Sequence, residues 1–304
     1  MLNAFLKIIF FILAGLIFGR LNKNKDEIQS FLNKYLYYLG LPAIIILKTS
    51  SMDLGFFNTC SAMINILPIT AVSIAVFIFF KFKVLSANYA RTLIITSVLG
   101  NTVYLGIPSS EAFFSQDAIA YAAMISAVHN LVIFTFSLML VNLIADDSFS
   151  FYSFTKHTFK NPVLASSLTG IAVSFLNFKI TGLTENILSE ISKTVIPLSL
   201  ITLGLSLYGK YSFKRFINPL LGISFIKLIA LPFICFIFSY LCQENTVFYK
   251  VSLLQHAMPT AVMALIVSKE LTLDEELVSK SIIFTTLLYF LLLPLYSFIF
   301  DILF

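Results

Sequence analysis

Residues 59–80 read TCSAMINILPITAVSIAVFIFF and carry no charged side chain. At 1.5 Å per residue a helix of this length crosses the ~30 Å hydrocarbon core of a bilayer. Runs of this kind recur along the chain, and no other feature limits its fold as much. In hydrocarbon the backbone N–H and C=O groups have no water to bond, so a spanning segment must pair them internally, as a helix does. Composition agrees: 12% of the residues are charged, against about 25% in soluble domains. Mean hydropathy is +0.94. Such a chain cannot cover a water-facing surface, and the sequence predicts an all-α integral membrane protein in contact with membrane lipid.

Ten spanning segments are expected, at 2–20, 31–50, 59–80, 92–115, 118–143, 161–178, 192–209, 216–241, 248–268 and 279–301. Fourteen of the 20 Lys and Arg residues fall in or beside connections after odd-numbered segments, among them Arg20, Lys23, Lys81, Arg91, Lys214 and Arg215. Four fall after even-numbered ones: Lys48, Lys179, Lys193 and Lys250. Basic residues favour the cytoplasmic side. The odd connections are therefore expected inside, with both termini outside the cell membrane. The same bias accounts for the net charge of +5 without a nucleic-acid partner. No cleavable leader is expected, since the first apolar run ends at FGRLNKNK without a small-residue cleavage pattern.

The long polar connection at 144–160, IADDSFSFYSFTKHTFK, divides the chain into a first half at 1–143 and a second at 161–304. An offset of 155 places Gly15 on Gly170, Pro42 on Pro197 and Asn101 on His256. Each half has five crossings, an odd number. Halves that share a fold must then be inverted in the membrane, as in many secondary transporters.

Two segments are broken. In the fourth, GNTVYLGIPSS sets Gly100, Asn101, Gly106 and Pro108 within one stretch. Pro108 cannot donate to the carbonyl of Tyr104. In the ninth, LLQHAMPTAV sets Gln255, His256, Pro259 and Thr260 together, and Pro259 cannot donate to the carbonyl of Gln255. Irregular backbone at membrane depth survives only where protein or a watery cavity covers it. Two broken helices that cross can cover each other, and their half-helix N-termini favour an anion. The candidate substrate-binding residues are Asn101, Thr102, Tyr104 and Pro108 in the first break, and Gln255, His256, Pro259 and Thr260 in the second. His129 and Asn130 of the fifth segment are candidates to line a cavity beside the first break. His256 reads either as a packing histidine or as a proton-sensitive one.

Lys227 is the one charge inside the eighth segment, about 16 Å from its cytoplasmic end and so near mid-bilayer. A lysine there costs about 2.5–3.5 kcal/mol on insertion scales. We expect it to point toward the broken helices, near the carbonyl of Leu228 that Pro232 leaves free. It would there attract an anion or take the place of a coupling cation.

Enzyme chemistry is not expected. The sequence has no HExxH, no GxSxG and no mid-membrane pair of acids. Cys60, Cys235 and Cys242 show no metal-ligand spacing. No catalytic residue, metal or cofactor is assigned.

The breaks also carry a resemblance. GNTVYLGIP and HAMPTAVMALIV, with KNPVLASSLTGI at 160–171, ITLGLSL at 201–207 and IKLIALP at 226–232, resemble the auxin efflux carrier family of plant PIN-formed carriers and many bacterial members. The resemblance runs nearly the whole chain. It implies a five-plus-five inverted repeat similar to the bile-acid symporter fold, with helices 4 and 9 crossing at mid-membrane. Helices 1, 2, 6 and 7 would form a scaffold, and helices 3, 4, 5, 8, 9 and 10 a moving transport domain. It further implies elevator-type carriage of small organic anions, dicarboxylates or auxin-like carboxylates, and a homodimer through the scaffold. Asn101, Pro108 and Pro259 match the family's crossover residues. His256 departs from the small residue common there in plant carriers. The coupling partner is left open between none, a proton and a sodium ion. Other readings are a sodium-coupled symporter of the bile-acid type and a non-transporting membrane sensor or scaffold.

The orientation has a direct check. Single cysteines placed at 21–30 and 210–215 should react with a membrane-impermeant thiol reagent only after the cell membrane is opened, and cysteines at either terminus before it. A C-terminus protected in intact cells would contradict the even number of crossings.

Overall fold

The computed structural model describes residues 2–51, 58–114, 118–145, 162–208, 213–242 and 246–303. These residues form helices and turns, with no strand among them beyond one isolated antiparallel bridge between Gly100 and Thr260. We number the helices in chain order: α1 Leu2–Leu21, α2 Lys25–Ser50, α3 Thr59–Lys81, α4 Ala87–Val98, α5 Gly106–Phe113 and α6 Ala118–Ala145. There follow α7 Pro162–Phe175, α8 Leu183–Leu207, α9 Lys214–Leu241, α10 Val247–His256, α11 Met263–Glu270 and α12 Glu275–Leu303.

Among the described residues, six helices are long and apolar enough to span a membrane: α2, α3, α6, α8, α9 and α12. Of the other four expected segments, the first is α1, whose 20 residues cover the expected 2–20, and three take shorter forms. The sixth is α7, with 14 residues. The fourth divides into α4 and α5, and the ninth into α10 and α11. The divisions fall where glycine and proline interrupt the apolar runs, as the chemistry of those residues requires. The expected linker lies outside the described residues, apart from its first two positions at the end of α6.

The chain forms two compact units. The first comprises residues 1–56, 103–127 and 159–210, and so holds α1, α2, α5, the first part of α6, α7 and α8. Its helices meet through small residues. A Cβ added at Gly204 would overlap the Ile12 carbonyl and crowd Gly15 Cα, and one added at Gly15 would overlap the Ile201 carbonyl. α1 and α8 therefore touch backbone to backbone. A Cβ at Gly170 would overlap the Thr49 hydroxyl, which sets α7 equally close to α2. With lipid no less apolar than leucine, close contact of this kind is what holds membrane helices together. A bond between the Tyr35 and Thr194 hydroxyls, 2.7 Å long, ties α2 to α8.

The second unit comprises residues 57–102, 128–158 and 211–304, and holds α3, α4, the rest of α6, and α9 to α12. Ile69, Val72, Ile94, Ile95, Leu220, Ile223 and Val278 are among its buried core. Asn58 caps α3 by accepting from Ser61 N at 2.9 Å, and Asp274 accepts from Leu277 N at 2.9 Å at the start of α12.

Prolines shape both units, because each withholds a donor from the carbonyl four residues before it. Ahead of Pro42 and Pro232 the helix widens to a π turn, at Leu36–Gly40 and Ile226–Ala230. Three of the carbonyls that a proline cannot serve receive a side-chain donor instead. Ser199 Oγ donates to Tyr104 O (3.2 Å) in the first unit. In the second, His256 Nε2 donates to Ile64 O (3.2 Å), four residues before Pro68, and Tyr296 OH donates to Leu228 O (2.8 Å).

The α1–α8 contact yields a test. Gly204→Leu should destabilise the protein by about 1–3 kcal/mol or more through overpacking, visible as a lower thermal midpoint in detergent. An unchanged midpoint would mean that these helices do not meet there.

Candidate functional site

α4 stops at Val98, and α10 stops at His256. Both then continue as extended or turning backbone whose polar groups need partners at membrane depth. In the second unit the two breaks serve each other. Asn101 N donates to Pro259 O (2.7 Å), and Ala261 N donates to Leu99 O (2.8 Å). Thr260 Oγ1 donates to Thr96 O (2.8 Å), while Thr260 N donates to Thr285 Oγ1 (3.1 Å). Thr96 O and Leu99 O, two of the carbonyls orphaned where α4 ends, are thus bonded by residues of the second break.

Lys227 joins this crossing. It is 2% exposed and lies in the π turn of α9. Its Nζ donates to Val98 O over a long 3.4 Å. A Cβ at Gly100 would come within 2.7 Å of that Nζ, so the glycine leaves room for the ammonium. The cation sits at the C-terminal, electronegative end of α4. The Leu228 carbonyl, the acceptor expected for it, is bonded by Tyr296. No aspartate or glutamate is buried among the described residues. The ion pairs among those residues, Lys25–Asp26, Lys193–Glu190 and Lys280–Glu276, each include an exposed carboxylate and do not involve Lys227. Two further polar atoms at the end of α4 are buried with no hydrogen-bond partner among the described residues: Asn101 Nδ2 and Ser97 Oγ.

A second polar cluster involves His256. The rings of His129 and His256 lie 4.3 Å apart, centroid to centroid, at 39°. Both are buried. His256 Nε2 donates to Ile64 O, and His129 Nε2 lies 3.3 Å from Asn65 Oδ1. The Asn65 amide nitrogen donates to Ser61 O (2.9 Å) and Ser252 Oγ (3.1 Å). Its oxygen is therefore the atom facing His129, and His129 is the donor.

The structure places the predicted residues as follows. Asn101, Lys227, Pro259 and Thr260 meet at the crossing, and His129 and His256 pair beside Asn65. Thr102, Asn130 and Gln255 are buried in the same unit. Tyr104 and Pro108 belong to the first unit. Reading the sequence missed Ser97, Asn65, Ser252, Thr285 and Tyr296. Pro68, three residues after Asn65, marks a carbonyl in need of a donor and was a legible clue to that cluster. Among the described residues no group of three or more His, Cys, Asp or Glu side chains could hold a metal.

Known proteins can be set beside this geometry. The sequence pattern that defines the family described as "Membrane transport protein" matches residues 1–297. An uncharacterized transporter of Methanocaldococcus jannaschii is 29% identical over 297 residues, covering 93% of this chain and 92% of its own. An uncharacterized transporter of Methanothermobacter thermautotrophicus is 23% identical over 294 residues, covering 96% of each chain.

Proposed function

The chain belongs to the membrane transport protein family, the auxin efflux carrier-like group, and we propose that it is a secondary transporter whose cargo is a small organic anion. One observation carries the substrate class. The crossing holds the buried amine of Lys227, an unbonded amide N–H and an unbonded hydroxyl, and no buried carboxylate among the described residues to answer them. Donors without acceptors in a low-dielectric interior are costly. A carboxylate supplies acceptors for all three kinds of donor and the opposite charge. Sodium coupling fits less well, because Val98 O, the kind of oxygen a sodium ion would take, is engaged by Lys227.

The five-plus-five inverted repeat draws support from the first unit. Adding 155 to Gly15 gives Gly170, and subtracting it from Gly204 gives Thr49. The close pair Gly15–Gly204 then maps onto the close pair Gly170–Thr49. Exchanging the halves thus reproduces the contact, as a two-fold repeat requires.

On this reading the first unit, with α1, α2, α7 and α8, is the scaffold, and the second, with the crossing, moves the cargo between the two sides. Residues 103–127 cut across that assignment, since they group with the first unit. Four bonds of the crossing, from Asn101 N, Ala261 N, Thr260 Oγ1 and Thr260 N, lie within the second unit, which supports a crossing that travels with that unit, as an elevator-type carrier needs.

Two substitutions test the anion site. Asn101→Ala removes a donor that has no partner in the empty site, so its thermal midpoint should not fall. Its binding of the cargo anion should weaken by about 1–3 kcal/mol. Lys227→Met removes a buried lysine that has no carboxylate partner but donates one long bond to Val98 O. It should destabilise the fold by no more than the loss of that bond, about 1–3 kcal/mol, and should abolish uptake of labelled malonate or malate into proteoliposomes. Folded Asn101→Ala and Lys227→Met proteins that bind and carry the anion as the wild type does would move the anion site elsewhere.

A further inference from the structure

The anion site accounts for Lys227 and Asn101 but leaves the histidine pair without a task. Each ring has one nitrogen committed. A carbonyl oxygen can only accept, so the hydrogen of His256 is on Nε2, facing Ile64 O. Asn65 turns its oxygen to His129, so that ring also carries its hydrogen on Nε2. No described hydrogen bond involves Nδ1 of either ring, and Nδ1 is the position where an imidazole takes a second proton. At 4.3 Å between centroids, two imidazolium charges would repel strongly in a medium of low dielectric. The pair therefore has room for one proton.

Among the described residues, the charges that act on His129 are those of His256 and Lys227, and the one that acts on His256 is that of Lys227. The neighbours from α3 and α10, Ile64 O, Asn65 and Ser252, are uncharged. With no buried carboxylate among the described residues, the field at the pair is set by Lys227 and by whatever anion answers it. Lys227 alone opposes a proton on the pair. A bound carboxylate offsets that charge and admits the proton.

We propose that His129 and His256 form a one-proton site that fills when a carboxylate settles against Lys227, so that cargo and proton are carried together. The proton comes from solvent, bonds to Nδ1 of one ring to give an imidazolium, and leaves when the anion leaves. No covalent bond of the cargo changes. The inference rests on the anion-site reading above, and it names the coupling partner which that reading leaves open.

The test is the pH dependence of binding by the full chain in detergent or nanodiscs. The probes are malonate, malate and indole-3-acetate, over about pH 7 to 8.5, where all three stay fully ionised. Wild-type affinity should weaken by up to tenfold per pH unit as the pair loses its proton. Mixing with the anion in weak buffer containing a pH indicator should show net proton uptake. His256→Gln keeps a donor for Ile64 O, and His129→Asn keeps a polar group near Asn65. Neither residue can take up a proton in this range, so the pH slope of affinity and the proton-uptake signal of each variant should fall well below those of the wild type. Wild-type binding with flat affinity and no proton uptake would overturn the proposal and leave the anion site standing. An unchanged pH slope in either folded variant would also overturn it. Failure of all three carboxylates to bind would overturn the anion site, and the proton site with it.

Discussion

The interaction on which the rest depends is the pairing of backbone carbonyls that lose their own helix. A carbonyl unpaired in hydrocarbon costs several kcal/mol, and this chain creates many of them with prolines and broken helices. The second unit answers several of them with a specific donor. His256 serves Ile64, Tyr296 serves Leu228, Thr260 serves Thr96, Ala261 serves Leu99 and Lys227 serves Val98. Several polar side chains inside this apolar unit, among them His256, Tyr296, Thr260 and Lys227, stand where the backbone is broken.

That logic was partly legible in the sequence. Pro108 and Pro259 announced the two breaks, and the mid-membrane depth of Lys227 announced that it needed a partner. Its acceptor was not legible. Leu228 O was the nearest candidate along the chain, but the structure gives that carbonyl to Tyr296, 68 residues away, and brings Lys227 to Val98 on another helix. The Asn65–His129–His256 cluster was hidden for the same reason: its members lie on α3, α6 and α10, and only tertiary packing joins them. Apolar periodicity shows where a helix runs and says little about which side chain from a distant helix meets its broken turn. The counterpart of Gly15 was visible as an offset of 155, but its meaning needed the contacts of Gly204 and Thr49.

Function follows from one asymmetry. Most donors and acceptors in the second unit are matched, and the matched ones hold the crossing rigid. The exceptions at the end of α4 are Asn101 Nδ2 and Ser97 Oγ, and the Lys227 amine bonded to Val98 O has a single long hydrogen bond among the described residues. A transport site needs this combination. Its frame must be satisfied in the absence of cargo, and a few groups must stay unsatisfied until cargo arrives. Too many free donors would destabilise the empty carrier, and too few would leave nothing to select an anion over water.

The most direct measurement is to locate the anion itself. Crystals grown with a brominated carboxylate such as bromomalonate would reveal the bromine by anomalous scattering and the carboxylates by density. The account places a carboxylate within hydrogen-bond reach of Lys227 Nζ and Asn101 Nδ2. An anion bound only at the basic residues of 20–25 or 210–215, with the crossing empty at saturating concentration, would contradict it.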